Sequence, residues 1–226
     1  MTRRISVIYK ILTALTILTG ILLNLINTTS VVSLLSYYTS QSNIICLIAF
    51  AIYSVMEIKN GENTRRNDMY YFLKGALVIM ISITAICYHI ALAPIGFNMT
   101  SLQETVSNKK IASSLLHTYS PILVIMDYFL FDKKGRFKNY YPFLWLIYPL
   151  NYVGYVYLYA SQGGEFYGIG GSKRFAYFFL DYTKQGVEGV IIWIIVISIL
   201  ILLLSYGLVL LDKKLLKRKR AKRKTH

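Results

Sequence analysis

Cysteine and histidine are scarce in this chain. Two cysteines and three histidines occur among 226 residues. Cys46 and Cys87 both lie in apolar runs, so they predict buried, unreactive thiols and not a disulfide framework, and neither has a nearby histidine with which to bind zinc. The histidines are His89, His117 and His226, too few for a histidine-rich metal site. We therefore expect no metal and no cofactor.

Acidic residues are scarce as well, and long polar stretches are missing. Ten Asp and Glu stand against 25 Lys and Arg, which gives a formal net charge of +15. The chain is 55% hydrophobic with a mean hydropathy of +0.49, and its apolar residues form long runs instead of the alternating pattern of a soluble core. These features predict an all-α polytopic membrane protein with no separate soluble domain.

Six apolar windows are long enough to cross a bilayer, which takes roughly 20 predominantly apolar residues. They cover about 5–26, 37–56, 70–91, 111–131, 142–161 and 186–210. In lipid a helix bundle satisfies its own backbone hydrogen bonds, so we predict one six-helix transmembrane domain over 1–210 and a basic tail at 211–226. The first span lacks a small-residue cleavage site, and we therefore expect a retained helix, not a signal peptide.

The basic residues alternate along the chain and predict the orientation of the spans. They cluster before the first span and after the second, fourth and sixth, whereas the loops 27–36, 92–110 and 162–185 hold few. The clusters include Lys10, Arg65, Arg66, Lys133 and Lys134. Basic residues mark the cytoplasmic side, so both termini are predicted to be cytoplasmic. The Lys-rich, Ile-rich composition is consistent with a bacterial inner membrane. The tail is interpreted as a topology signal that contacts anionic lipid head groups, not nucleic acid.

His117 lies in the apolar run LLHTYSPILVIMDYFLF, where an ionisable side chain is costly and marks a functional site by default. The helical rise places it roughly 10 Å below the outer end of the fourth span. Thr39 enters the second span from the same side, at a similar depth. An imidazole nitrogen there would take the proton of the Thr39 hydroxyl, a nucleophile too weak to act unaided. The alternative is a hydrogen-bonded packing histidine, which is favoured for His89.

Polar residues open the second span, in the segment YYTSQSN. Thr39, Ser42 and Asn43 are three and four residues apart and share one helix face, which is typical of a site lining. The alternative is an interfacial helix start, in which two tyrosines join an aromatic belt and Thr39 or Ser40 caps the first turn.

Two aspartates are candidates for orienting the histidine. Asp127 lies ten residues beyond His117, about 15 Å further along the same helix, so it cannot orient that ring and is expected to extend toward Lys133, Lys134 or a polar neighbour. Asp181 lies in the outer loop, on the side of His117. Asp181, Tyr119 or a backbone carbonyl would fix the tautomer, and the sequence does not choose among them.

Tyrosines recur along the fifth span, FLWLIYPLNYVGYVYLYAS. Tyr148, Tyr152, Tyr155 and Tyr159 form one helix stripe, and Pro149 is expected to bend the helix. Such a stripe usually packs, but facing a cavity it would offer hydroxyl donors to an acyl chain or a carbonyl oxygen. The following loop, rich in glycine and aromatics, predicts a folded cap or a lipid-interface belt.

Four segments together resemble a known family. They are YYTSQSN, LLHTYSPILVIMDYFLFDKKGR, WLIYPLNYVGYVYLYASQGG and AYFFLD. The pattern is similar to the bacterial six-span relatives, often labelled Pr-six-Pr, of the androgen-induced-gene membrane proteins, and it covers nearly the whole chain. The resemblance implies hydrolysis of fatty acid esters of hydroxy fatty acids by an intramembrane threonine and histidine, which fall on Thr39 and His117. Relatives tend to have proline where this chain has Phe178, so the outer loop differs in geometry.

We therefore expect a membrane hydrolase of the threonine type that acts on a lipid ester from the outer leaflet. Thr39 attacks the carbonyl, and His117 serves as base and then as acid. The candidate substrate and oxyanion contacts are Asn43, Ser42, Tyr148, Tyr152 and Asp181. The alternatives are acyl transfer onto a lipid or lipoprotein, and a small transporter or lipid-binding protein with a polar path from His117 to Asp127. The expected partners are a lipid substrate and the bilayer, and the oligomeric state stays open.

Overall fold

The computed structural model describes residues 3–61, 67–92, 105–168 and 171–224, and it is mostly helical. The α-helices are α1 (Arg3–Ile26), α2 (Val31–Ser36), α3 (Tyr38–Asn60), α4 (Asp68–Ile86), α5 (Thr105–Ser114), α6 (Ser120–Phe131), α7 (Tyr141–Trp145), α8 (Ile147–Ser161) and α9 (Tyr182–Lys224). A π-helical segment, Cys87–Leu92, continues α4, and a second, Leu115–Tyr119, joins α5 to α6. Arg65, Arg66, His226 and most of the predicted loop 92–110 lie outside the described residues.

Among the described residues, five helical segments are long and apolar enough to cross a membrane. They are Arg3–Ile26, Tyr38–Asn60, Asp68–Ile90, Asn108–Phe131 and Tyr182–Arg218. These segments coincide with the first four and the last of the six predicted spans. Their length and composition identify a helical membrane protein, as the sequence predicted.

The predicted fifth span is divided into two helices, α7 and α8, which meet at Leu146. Pro149 has no N–H to donate to the Trp145 carbonyl four residues earlier, and its ring clashes with that carbonyl. The expected bend therefore takes the form of a break one turn before the proline. The Trp145 indole donates to the Phe72 carbonyl at 3.0 Å, which holds the break against α4.

A buried ionic cluster lies at the end of α3 that is opposite Thr39. Lys10 Nζ is 2.9 Å from Asp127 Oδ1 and 3.2 Å from Glu57 Oε2, and Lys74 contacts Asp127 and, at 3.6 Å, Asp132. Asp127 thus pairs with polar neighbours, one of the alternatives expected for it, and these are Lys10 and Lys74. The bundle excludes water here, so each carboxylate needs a buried cation, and lysines from α1 and α4 supply it.

A small cap covers the Thr39 end of the bundle. It consists of α2, an antiparallel hairpin of β1 (Phe166–Gly168) and β2 (Gly171–Lys173), and a 3-10 helix, Phe178–Leu180. Ser33 Oγ accepts a hydrogen bond from the Tyr167 N–H at 2.6 Å, which fixes the hairpin to α2. The folded cap, one of the two structures expected for this loop, is therefore present.

Candidate active site

Thr39 and His117 are in contact. Thr39 Oγ1 lies 3.2 Å from His117 Nε2, within hydrogen-bonding distance. The N-cap of α3 is Tyr37, in an extended conformation, and no side chain caps this helix start. Neither Thr39 nor Ser40 therefore caps the first turn of α3. The Thr39 hydroxyl is directed to the imidazole instead.

The π-helical segment that carries His117 explains how α3 is held against it. In the π register Ser120 N–H bonds to a carbonyl five residues earlier, and the next donor would be residue 121. Pro121 has no N–H, so the carbonyl of Leu116 lacks its helical partner. Asn43 Nδ2 donates to that carbonyl at 3.2 Å and to the Thr39 carbonyl at 2.9 Å. One side chain therefore ties the Thr39 backbone to the residue before His117.

Helix α1 approaches the same segment closely at Gly20. A Cβ atom added at Gly20 would lie 2.7 Å from Leu116 Cδ2 and 3.1 Å from Leu115 Cβ. Carbon atoms do not pack at 2.7 Å, so a side chain here would displace the π-helical segment. Gly20 therefore determines how near α1 comes to the backbone that positions His117.

The Ser113 carbonyl sets the tautomer of His117. His117 Nδ1 is 2.9 Å from Ser113 O. A carbonyl only accepts hydrogen bonds, so Nδ1 carries the proton and Nε2 is the lone-pair nitrogen that faces Thr39. Of the three orienting groups that the sequence left open, the structure has the backbone carbonyl. The relevant sequence signal is the four-residue helical spacing of 113 and 117, which does not by itself distinguish this contact from ordinary helix geometry.

Tyr88 is a site residue that sequence reasoning missed. Its ring stacks on the His117 imidazole with centroids 4.0 Å apart and planes 20° apart. Its hydroxyl accepts a hydrogen bond from Ser113 Oγ at 2.9 Å. The neighbouring His89 is exposed and pairs instead with Thr118, at 3.0 Å, so it is not part of the Thr39 contact.

Ser42 and Asn43 lie beside Thr39 as predicted but have no hydrogen-bond donor left for an oxyanion. Both N–H groups of the Asn43 amide are used on carbonyls. Ser42 is fully buried, donates to the Thr39 carbonyl at 3.0 Å and lies 2.8 Å from Thr84 Oγ1. Their geometry therefore supports positioning of Thr39, and the oxyanion role expected for them is not supported.

The tyrosine stripe on α8 exists and mostly packs. Successive rings lie about 6 Å apart, 6.1 Å from Tyr152 to Tyr155 and 6.0 Å from Tyr155 to Tyr159. Tyr152 donates to the Ser36 carbonyl at 3.2 Å, which fixes the cap to α8. The ring of Tyr148 packs against Tyr38 with centroids 5.4 Å apart.

Asp181 lies at the start of α9 and not beside the imidazole. Its carboxylate accepts a hydrogen bond from the Thr183 N–H at 3.1 Å, and Lys184 is 3.9 Å away. These contacts are those of a residue that caps a helix start. The structure thus separates Asp181 from the residues that contact Thr39.

A cavity of about 700 Å³ opens beside Thr39. Its lining comes from α3, α4 with its π-helical continuation, α8, the cap and α9: Tyr38, Thr39, Ile83, Thr84, Cys87, Tyr88, Pro149, Leu150, Tyr152, Val153, Tyr177, Phe179, Leu180, Ile194, Ile197, Ser198 and Ile201. The wall is mainly apolar and has hydroxyl groups near the cap. Neither His117 nor Asp127 belongs to the lining, so the imidazole stands behind Thr39 as seen from the cavity.

Tyr177 is the second site residue that the sequence did not single out, although it belongs to the quoted segment AYFFLD. It lines the cavity together with Thr39 and Tyr152, its hydroxyl interacts with theirs, and its ring centroid is 6.3 Å from that of Tyr152. Loss of hydration raises the pKa of the Tyr177 hydroxyl. The group therefore keeps its proton and is available as a donor next to Thr39.

No family model, curated protein or solved structure matches the chain. Among the residues that the structure describes, no group of three or more His, Cys, Asp or Glu is arranged to hold a metal ion.

Proposed function

We propose that the chain is an integral membrane ester hydrolase in which Thr39 is the nucleophile and His117 is the general base. The observation that carries this proposal is the 3.2 Å contact between Thr39 Oγ1 and the unprotonated Nε2 of His117. A hydroxyl, a base and a group that orients the base make up the minimal set for nucleophilic catalysis. Here the orienting group is the Ser113 carbonyl.

In the first half-reaction Thr39 Oγ1 attacks the ester carbonyl carbon while its proton passes to His117 Nε2. The resulting oxyanion accepts a hydrogen bond from the Tyr177 hydroxyl, which lies next to Thr39. As the intermediate collapses, the bond to the alcohol oxygen breaks and His117 gives its proton to that oxygen. An acyl ester on Thr39 and a free alcohol remain.

In the second half-reaction a water molecule attacks the acyl ester, and His117 Nε2 takes the proton of that water. The bond between the acyl carbon and Thr39 Oγ1 then breaks. His117 returns its proton to Thr39 Oγ1, and the carboxylic acid leaves. The same Nε2 thus acts as base and as acid in each half, and no cofactor takes part.

The proposed substrate is a fatty-acid ester, since the cavity beside Thr39 is mainly apolar and the chain is built from membrane helices. The family resemblance narrows this class to fatty acid esters of hydroxy fatty acids. In the proposed topology α7 and α8 together form the fifth of six spans, both termini are cytoplasmic, and Thr39 is near the outer leaflet of an inner membrane. The basic end of α9, with Lys213, Lys214 and Lys217, then contacts anionic head groups.

The transporter alternative requires a polar path from His117 to Asp127. Asp127 is fully buried and paired with Lys10 and Lys74, and it does not line the cavity. This pairing weighs against an aqueous path along α6. Acyl transfer shares the acyl-threonine intermediate, so it is separated from hydrolysis by product analysis with and without an acceptor lipid.

The test is hydrolysis of long-chain esters by purified protein in detergent. Thr39→Ala and His117→Ala are each expected to abolish turnover. Matched controls are Thr19→Ala, which removes an exposed hydroxyl on α1, and His89→Ala, which removes the neighbouring histidine; both are expected to retain activity. Activity that survives in both Thr39→Ala and His117→Ala would remove the mechanism.

A further inference from the structure

The cavity beside Thr39 has two chemically different ends. Its hydroxyl-bearing residues near the cap include Thr39, Tyr152 and Tyr177. Helix α9 runs away from the cap and lines the cavity from Ile194 to Ile201, a length of roughly 10 Å at the helical rise. The cavity is thus mainly apolar along α9, and it carries hydroxyl groups at the end where Thr39 lies.

One wall residue of the cavity also reaches the lipid-facing surface. Leu150 on α8 lines the cavity and is 42% exposed. Lipid surrounds this bundle, so a hydrocarbon chain reaches the cavity at Leu150 without passing through water.

We infer that this cavity binds one unbranched acyl chain, with its carbonyl end at Thr39 and its methyl end near Ile201. The inference rests on the proposed function for the direction of the chain, since Thr39 must meet the carbonyl carbon. Ile201 is buried and is the lining residue of α9 farthest from the cap, so it forms the floor. Ser198 lies one turn above this floor and controls how far a chain extends.

Cys87 reports occupancy of the cavity without any need for turnover. It lines the cavity and is half-buried, whereas Cys46 is fully buried and does not line it; neither is in a disulfide. N-ethylmaleimide is therefore expected to alkylate Cys87 and to leave Cys46 unmodified. A chain that fills the cavity covers the Cys87 thiol and slows that alkylation.

The experiment uses full-length Thr39→Ala protein in amphipol, free of detergent, so that no chemistry takes place. Alkylation of Cys87 by N-ethylmaleimide is followed by mass spectrometry with no addition, with octanol and with hexadecanol, two uncharged chains that are not hydrolysed. Mass action predicts that hexadecanol at ~10 times its Kd slows alkylation about tenfold. Cys46 serves as the internal control.

Ser198→Phe and Ile199→Phe are the matched pair that locates the chain. Ser198 faces the cavity, whereas the adjacent Ile199 is 51% exposed on the lipid side. Ser198→Phe is expected to lose protection by hexadecanol and to keep protection by octanol, whereas Ile199→Phe behaves like the parent. Equal alkylation rates with and without hexadecanol, or unchanged protection by hexadecanol in Ser198→Phe, would overturn the inference.

The two proposals fail separately. Protection of Cys87 in a protein that hydrolyses no ester supports the acyl-chain site while removing the hydrolase. Hydrolysis of long-chain esters without protection of Cys87 removes the acyl-chain site and leaves the hydrolase in place.

Discussion

Asn43 donates a hydrogen bond to the Leu116 carbonyl at 3.2 Å, across the interface between α3 and the π-helical segment 115–119. Pro121 leaves the Leu116 carbonyl without its helical donor. The residue that follows Leu116 is His117. The same amide holds the Thr39 carbonyl at 2.9 Å. The distance between nucleophile and base therefore depends on a side chain that does not touch the cavity.

Asn43→Ala is expected to lower kcat without a matching change in KM, because Thr39 and His117 lose their common tie while the cavity is unchanged. The Leu116 carbonyl is then left buried and unsatisfied, which costs about 1–3 kcal/mol and lowers the apparent Tm in detergent. Asn151→Ala, on the exposed face of α8, is the control and should match the parent in both assays. Parent-like kcat in Asn43→Ala would show that the tie does not position the pair.

Gly20→Ala is expected to reduce activity and stability together. The added Cβ meets Leu116 at 2.7 Å and moves the segment that carries His117, and overpacking of this kind costs about 1–3 kcal/mol. Gly154→Ala is the matched control, since a Cβ there has nothing within 4 Å and alanine favours a helix by about 1 kcal/mol. Both variants are compared by apparent Tm and by ester turnover. Similar values for Gly20→Ala and Gly154→Ala would contradict the role assigned to Gly20.

Tyr177→Phe is expected to lower kcat by about 10²–10³ with little change in KM, since it removes a donor that acts on the oxyanion and not on the bound ester. Steady-state kinetics on a soluble-headed long-chain ester check this. Tyr119→Phe is the control, since Tyr119 is the exposed last residue of the π-helical segment. A loss confined to KM would instead make Tyr177 a residue of substrate binding.

The pH dependence of kcat provides a further check on Tyr177. Loss of hydration raises its pKa above the ordinary tyrosine value of about 10, and only the protonated hydroxyl donates a hydrogen bond. Raising the pH up to about 10 should therefore not remove this donor. A loss of kcat below that pH that is present in the parent and absent in Tyr177→Phe would contradict this assignment.

The buried ionic cluster is expected to dominate stability at the opposite end of the bundle. Lys74→Ala leaves Asp127 with one buried cation fewer, and breaking such a pair costs about 3–5 kcal/mol. Lys138→Ala is the control, since its ion pair with Asp68 is solvent-exposed and screened, and its loss should leave the stability nearly unchanged. Apparent Tm in detergent should fall sharply in the first variant only; similar values for both would contradict the assignment.

The positions of Thr39 and His117 could be predicted from the sequence because depth in a membrane helix follows from helical rise and from the pattern of basic residues. The same arithmetic separated Asp127 from His117. The contact itself could not be predicted, since it depends on which helices are neighbours. The structure provides this contact through Asn43, Pro121 and Gly20.

Tyr177 and Tyr88 were missed for a different reason. Tyr177 is brought to Thr39 by the fold of the cap, and tertiary contacts of an irregular loop leave no periodic signal. Tyr88 lies in a π-helical segment, where one extra residue per turn shifts the face that a spacing of three or four predicts. The partners of Asp127 could not be identified either, because Lys10 and Lys74 come from helices distant in sequence.

Labelling with a fluorophosphonate probe directly tests whether Thr39 is the nucleophile and His117 its general base. Purified protein is treated with the probe, and the modified residue is located by mass spectrometry in the parent and in His117→Ala. We expect a covalent adduct on Thr39, and we expect it to form at least ~10²-fold more slowly in His117→Ala, which lacks the general base. An adduct on another residue, or equal labelling of Thr39 in both proteins, would contradict it.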